Sequence, residues 1–266
     1  MNPRKFFEKF KAFLELIIGF FFYHFLRKKK QNFLENNGFL KMPSFLSESE
    51  IKKIKKEINL AISVQSPSKF MGTHEIKRYG AINEAGPSTK NFCENKKLKK
   101  IAKEFFGVSV ENFFRFMDEE KKKSLKEVRP KNETTLNFHF DRQFGVFKVL
   151  LFLDKIDYKK GPFQIVKGSH RLSYGNFKMK SKKIIKYFAK LIFKRSHNID
   201  ESEYDNYFSK KDIHTCVGNK GDVYIVNTCA YHRATNCQSG NVRKILWIYH
   251  YDYNFITRLK KLCLKK

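Results

Sequence analysis

The segment Asn137-Phe138-His139-Phe140-Asp141 alternates polar and aromatic residues. In an extended strand successive side chains point to opposite faces, so Asn137, His139 and Asp141 share one face and Phe138 and Phe140 the other. An imidazole and a carboxylate two residues apart on one face can reach a single cation. A second imidazole has to arrive from a distant part of the chain. His232 qualifies, because it follows Gly221-Asp222-Val223-Tyr224-Ile225-Val226-Asn227-Thr228, a turn and strand pattern that runs into a loop. Two histidines and one carboxylate are the facial set that holds iron and leaves positions open for oxygen and an organic acid. Arg243 stands eleven residues after His232, at the start of another strand pattern. Its guanidinium can grip a carboxylate through two parallel hydrogen bonds, as a dicarboxylate co-substrate requires. Taken singly, each of these signals is common; the ordered set is far more specific.

The elements that must position these side chains follow from periodicity and punctuation. Gly38 to Pro43 reads as an opening strand that ends at the proline. Ser47-Glu48-Ser49-Glu50 is an S-x-x-E capping box ahead of Ile51, Ile54, Ile58 and Leu60, the apolar side of a helix. A second helical pattern covers 96–106, with Leu98, Ile101, Ala102 and Phe105 on one face. Residues 64–90 read as irregular. From about Phe113 onward short runs with turn signals between them replace helical periodicity, and 135–141, 147–153, 161–166, 222–228 and 244–251 read as strands. Helices first and many short strands later predict an antiparallel sandwich or barrel with the helices packed outside it.

These residues resemble the phytanoyl-CoA dioxygenase family. The resemblance lies in His139-Phe140-Asp141-Arg142, in the strand 147–154, in Gly161-Pro162-Phe163 through Gly168-Ser169-His170-Arg171, and in Gly221-Asp222 through His232-Arg233 to Gly240 and Arg243. It runs through roughly 35–252, with 64–130 and 172–215 matching poorly. It implies a mainly β protein with flanking helices, built on a double-stranded β-helix (jelly-roll, cupin-like) core. It also implies an oxygenase that uses Fe(II), 2-oxoglutarate and O₂. By position, His139, Asp141 and His232 would be the catalytic iron ligands and Arg243 the group that binds the distal carboxylate of 2-oxoglutarate. His170 has no partner two residues away and is read as structural, like the Gly-Ser-His-Arg block around it. Two residues after the distal histidine many relatives carry a small hydroxyl, whereas this chain has Ala234. Related halogenases carry Ala or Gly at the carboxylate position, so Asp141 favours hydroxylation: 2-oxoglutarate is oxidatively decarboxylated to succinate and CO₂ while a C–H bond becomes C–OH.

Charge points to a surface partner. The 266 residues carry 55 Lys+Arg against 26 Asp+Glu, a formal net charge of +29. Such an excess suits nucleic acid or an anionic membrane, but no basic-aromatic motif or zinc-finger spacing is present, so nucleic acid is disfavoured. Residues 1–30 are mostly apolar from Phe6 to Leu26 between Arg4-Lys5 and Arg27-Lys28-Lys29-Lys30. The uncharged part, 16–26, covers only about 16 Å as helix, too short for a ~30 Å hydrocarbon core. An amphipathic helix lying in the interface is the expectation, with the domain 31–266 behind it on the cytoplasmic side, peripheral or monotopic at the inner face. The alternative is a helix capping the main domain. A basic amphipathic helix is also expected over 178–195, either as an outer solvated helix or against a membrane or an anionic substrate. Five cysteines without a C-x-x-C pair argue against a disulfide framework and for a reducing compartment.

The expected activity is therefore hydroxylation of an aliphatic C–H in a small molecule, a lipid or lipid-linked substrate, or a glycan precursor. Two rivals remain at this point: a nucleic-acid oxidative demethylase of the same fold, and a non-catalytic membrane-binding module.

Overall fold

A computed structural model describes residues 33–65, 68–70, 74–80, 82–106, 113–122, 138–141, 146–171, 208–238 and 240–251, together with Phe10, Phe13, Leu14, Leu16, Ile17, Phe20, Phe177 and Ser181. Among these residues the strands are β1 (Phe39–Met42), β2 (Ser68–Phe70), β3 (His74–Gly80), β4 (Phe113–Lys122), β5 (Val146–Phe152), β6 (Phe163–Val166), β7 (Ile213–Cys216), β8 (Val223–Val226), β9 (His232–Ala234) and β10 (Val242–Tyr251). The helices are α1 (Phe33–Asn37), α2 (Glu48–Ser63), α3 (Pro87–Cys93) and α4 (Lys96–Phe106). All ladders are antiparallel. They form a seven-stranded sheet, ordered β1-β8-β5-β10-β4-β3-β2, and a three-stranded sheet, ordered β7-β6-β9.

Strand alternation explains the layering. In β5, Leu150 and Phe152 face one way and Val149 and Leu151 the other, yet every one of them is buried. The large sheet is covered on both faces, which is why its central strands read as apolar runs, interrupted in β5 by Lys148. On one face Ile51, Ile54 and Ile58 of α2, Phe92 of α3 and Leu98 and Ala102 of α4 pack against Val149, Leu151, Val223, Ile225, Leu246 and Ile248. On the other, Leu150, Phe152, Tyr224, Val226, Ile245 and Trp247 meet Phe163, Ile165 and Cys216 of the small sheet. The result is three layers: helices, large sheet, small sheet. It is mainly β, antiparallel and consistent with the expected jelly roll.

α2 starts where its capping box predicts. The Glu50 N–H donates to Ser47 Oγ, and the Ser47 N–H donates to Glu50 Oε2. α3 lacks a side-chain cap of its own at Gly86. Glu57, from the middle of α2, supplies one: its carboxylate accepts from the Ser88 and Thr89 N–H groups (3.0 and 2.8 Å) and from the Thr89 hydroxyl (2.8 Å). Anions are stabilised at helix N-termini, and this contact locks α3 to α2.

The segment 64–90, expected to be irregular, instead contains β2, β3 and α3. β4 and β7 were likewise not delimited as strands. The register explains β3 and β4, which set Lys77 opposite Glu119 and Arg78 opposite Asp118. Opposite charges across a ladder support pairing but leave no apolar alternation to read. The basic helix expected over 178–195 lies outside the described residues, apart from Ser181. So does Cys263; Cys93, Cys216, Cys229 and Cys237 are buried and not disulfide-bonded.

The described positions of the N-terminal segment are helical. Leu16 is fully buried and the Phe20 ring lies 4.5 Å from that of Phe177, whereas Phe10 and Leu14 are 44% and 41% exposed. Part of this helix is thus applied to protein, as the capping alternative requires. No helix among the described residues is long and apolar enough to cross a membrane.

The Glu57 cap gives a stability test. Burial raises its carboxyl pKa, but the hydrogen bonds from Thr89 and Ser88 outweigh that and leave it below its ordinary 4.5. A depressed folded-state pKa contributes stability that is present above the unfolded value and is lost as pH falls through the folded one. Glu57→Gln should cost about 1 kcal/mol at pH 7 in urea unfolding, and the gap between variant and wild type should narrow below pH 4.5. A gap that widens in acid would contradict the assignment.

Candidate metal centre

His139 and His232 are far apart in sequence and are joined by their backbones. The His139 N–H donates to the His232 carbonyl (2.9 Å), and the His232 N–H donates to the His139 carbonyl (2.7 Å). An antiparallel pair closed by two such bonds directs both side chains to the same face, and the imidazole centroids lie 4.4 Å apart. His232 is also the first residue of β9, opposite Ile165 of β6. The short segment at His139 therefore extends the small sheet beyond its β9 edge. The Asp141 N–H donates to the Thr228 carbonyl (3.0 Å), which holds the carboxylate beside the same loop. Phe138 and Phe140 turn the other way and pack on Phe208 and Tyr231, as the alternation predicts.

The outcome is a cluster in which one ligand atom from each of His139, Asp141 and His232 lies within 4.8 Å of the others. The donor set suits a divalent cation. His232 is nearly fully buried, and its Nδ1–H donates to the Ala230 carbonyl (2.9 Å). A carbonyl can only accept, so this bond puts the proton on Nδ1 and leaves the Nε2 lone pair free for a metal. Nε2 faces Asp141 Oδ1 at 3.6 Å, too long for a hydrogen bond and of the order of the gap that two ligands of one ion leave between them. Two neutral imidazoles and one carboxylate fit iron with open positions.

Charge around Asp141 comes from the opposite sheet. Lys148 of β5 reaches across with its Nζ 2.6 Å from Asp141 Oδ2. Burial raises the Asp141 carboxyl pKa, but the Lys148 ammonium overrides it and holds the group well below the usual carboxylate range. Burial likewise works against a charged Lys148, yet Tyr249 and Asp141 keep it above the ordinary lysine value. Asp141 therefore stays an anion available to a cation.

The walls come from neighbouring strands. Phe163 of β6 stacks on His232 (5.1 Å, 27°) and meets Trp247 of β10 edge-on (6.1 Å). Arg243 begins the inward row of β10 that continues through Ile245 and Trp247, and it is only 6% exposed. It donates to the Gly161 carbonyl. Gly161 adopts φ +63, and a Cβ there would lie 2.7 Å from the Thr235 carbonyl oxygen, so glycine is required at this turn. Because Gly161 is two residues from Phe163, the guanidinium anchor lies roughly 7 Å along the chain from the residue stacked on His232.

His139, Asp141 and His232 thus meet in one cluster, while Arg243 is buried on β10 six residues from Tyr249, the register partner of Lys148. His170 is not part of the cluster; its ring packs against Gly38, where a Cβ would lie 2.7 Å from Nδ1. Ala234 pairs with Phe163, and the neighbouring Thr235 hydroxyl donates to the Pro162 carbonyl (2.8 Å), so it supports the turn. Sequence reasoning missed Lys148, whereas it read the block that contains Ser169 as structural. Ser169 Oγ accepts from the Tyr231 N–H (2.8 Å) and donates to the Val166 carbonyl (2.8 Å), fixing the backbone just ahead of His232.

Three comparisons bear on this site. The sequence model of the family described as Phytanoyl-CoA dioxygenase (PhyH) matches residues 34–245. No curated protein matches. Among solved structures, the non-heme alpha ketoglutarate dependent epimerase SnoN from nogalamycin biosynthesis superposes with a TM-score of 0.57 at 12% identity, covering 82% of this chain and 79% of that one. HygX from Streptomyces hygroscopicus, solved with nickel and 2-oxoglutarate bound, gives 0.55 at 15% identity over 84% and 85%. The carbocyclase SnoK, also from nogalamycin biosynthesis, gives 0.55 at 14% identity over 90% and 92%. At these identities the likeness is one of fold.

Ser169→Ala should strand the buried Tyr231 N–H and cost about 1–3 kcal/mol in chemical denaturation. The same variant should bind Co(II) more weakly, because the backbone carrying His232 loses its tether. Unchanged stability and unchanged affinity would show that Ser169 does not support the site.

Proposed function

The chain belongs to the phytanoyl-CoA dioxygenase family of Fe(II)- and 2-oxoglutarate-dependent oxygenases, and from that premise we propose that it hydroxylates an aliphatic C–H bond of a small organic substrate. One observation carries the reading: the clustering of His139, Asp141 and His232 within 4.8 Å, held from both sides by backbone bonds. His139, Asp141 and His232 would hold Fe(II) by one face, and the metal would supply O₂ activation coupled to decarboxylation of 2-oxoglutarate. The overall change balances as substrate C–H, O₂ and 2-oxoglutarate giving substrate C–OH, succinate and CO₂.

This chain's own residues set the conditions for that chemistry. Arg243 offers a buried guanidinium to the distal carboxylate of 2-oxoglutarate, which orients the keto-acid end toward the cluster. Phe163 and Trp247 exclude water from the inner side of His232, and the Ala230 carbonyl keeps that imidazole in the metal-binding tautomer. The carboxylate at position 141 fills the place that related halogenases leave to a halide, which supports hydroxylation. SnoN and SnoK are described as an epimerase and a carbocyclase, so a fold of this kind accommodates more than one outcome. Their association with nogalamycin, and that of HygX with hygromycin B, supports a small molecule as substrate here. A lipid or glycan precursor remains within the class.

We also infer that the outward side of the N-terminal helix contacts an anionic membrane surface from the cytoplasmic side. The support is the exposed pair Phe10 and Leu14 in a segment flanked by Arg4-Lys5 and Arg27 to Lys30, the pattern of an interfacial helix. Phe10→Glu with Leu14→Glu should abolish cosedimentation with phosphatidylserine vesicles and leave the Tm unchanged. Full cosedimentation of the double variant would reject this contact.

For the activity, anaerobic addition of Fe(II) and 2-oxoglutarate should produce a weak visible charge-transfer band, absent in Asp141→Ala. Arg243→Met should keep Fe(II) binding but weaken 2-oxoglutarate at least tenfold. A wild-type protein that binds Fe(II) without taking up 2-oxoglutarate would refute the assignment. Substrate-dependent succinate release across lipids, acyl thioesters and sugar nucleotides would then identify the class.

A further inference from the structure

Lys148 sits in Phe147-Lys148-Val149-Leu150-Leu151-Phe152, a strand whose other members are fully buried, and it is itself 5% exposed. A lysine in such a place needs a partner for its charge. Its register fixes which way it points. It lies opposite Val226 of β8 and Tyr249 of β10, in phase with the inward-facing Leu150 and Phe152, so the ammonium enters the space between the sheets. There Nζ lies 2.6 Å from Asp141 Oδ2, 4.1 Å from the centre of the Tyr249 ring and 5.8 Å from that of Trp247. Two aromatic faces and one carboxylate oxygen confine the cation.

The two oxygens of Asp141 therefore have different surroundings. Oδ2 is committed to Lys148, while Oδ1 faces Nε2 of His232 at 3.6 Å. We propose that Lys148 is a positioning residue that reserves Asp141 Oδ2 and so restricts this carboxylate to a single ligating oxygen, Oδ1. The assignment rests on the functional reading above. Its consequence lies in the coordination count. An ion held by two imidazoles and one carboxylate oxygen would keep room for both the keto acid and oxygen. A carboxylate freed to bind through both oxygens would take a fourth position, so that the keto acid and oxygen compete. The same geometry sets a sign for the metal itself. An ammonium held this close to a dication repels it, so Lys148 should weaken the bare metal while protecting the open positions. A lysine present only for folding would do the reverse, because its removal would loosen the site and lower every affinity together.

The test uses Co(II), whose visible d–d spectrum reports coordination number, on full-length wild type, Lys148→Met and Lys148→Arg, with the Tm of each metal-free protein measured alongside. Lys148→Met should bind Co(II) at least tenfold more tightly than wild type. Its Co(II) form should bind 2-oxoglutarate at least tenfold more weakly and show an altered d–d band. Lys148→Arg, which keeps the cation, should restore all three properties toward wild type. The proposal is overturned if Lys148→Met weakens Co(II). It is equally overturned if that variant leaves 2-oxoglutarate affinity and the Co(II) spectrum within threefold of wild type. Should wild-type Co(II) protein itself fail to take up 2-oxoglutarate, the functional reading falls and this assignment falls with it, a result separable from both of the others.

Discussion

Two backbone hydrogen bonds, exchanged between His139 and His232, are the constraint on which the rest of the site depends. Neither histidine occupies a long strand: His232 opens the three-residue β9, and His139 is a bridge residue beside it. Such short pieces contribute little pairing stability of their own. They are held by what flanks them: β6 on the far side of β9, Ser169 beneath Tyr231, the Asn227 side chain accepting from the Cys229 N–H (3.0 Å), and the Thr228 carbonyl accepting from Asp141. The geometry of the three side chains is thus set by main-chain bonds that fix the Cα positions before any side chain chooses a rotamer. That is the preorganisation a metal site on rigid elements requires.

The large sheet plays a different part. Its central strands are covered by helices on one face and by the small sheet on the other, so its inner face is dry. Into that apolar face it projects one buried cation beside Asp141, and another at Arg243. Burying a charge is costly unless it is paired. Lys148 is paired with Asp141 across the sheets, and Arg243 leans on the Gly161 carbonyl. The pair joins the two sheets at the point where the chemistry is expected, coupling sandwich closure to the orientation of the carboxylate. Phe163, stacked between His232 and Trp247, fills the intervening space with apolar surface.

Much of this was legible before any coordinates. H-x-D with alternating aromatics and a distant histidine after a Gly-Asp strand named the cluster of three, because ligand chemistry restricts residue types more tightly than folding does. α2 was legible because its capping box is local, with both partners within four residues. What escaped was non-local. β3 and β4 carry opposite charges at paired register positions that are far apart in sequence, and α3 is capped by Glu57 from another helix. β7 and β9 are too short for periodicity to register. Lys148 left a signal that went unread. A lone lysine inside an apolar run, in phase with core residues, requires an anionic partner, and Asp141 was already at hand. The resemblance to the phytanoyl-CoA dioxygenase family was weakest over 64–130 and 172–215. Residues 107–112, 123–130 and 182–207 in those regions are also outside the described structure.

The central claim is that His139, Asp141 and His232 bind one iron ion together. Anomalous diffraction at the iron edge, from crystals of the full-length protein grown anaerobically with Fe(II), tests it directly. The account predicts a single strong peak within bonding distance of both imidazoles and of Asp141 Oδ1. A peak elsewhere in the molecule, or none at these three residues, would contradict it.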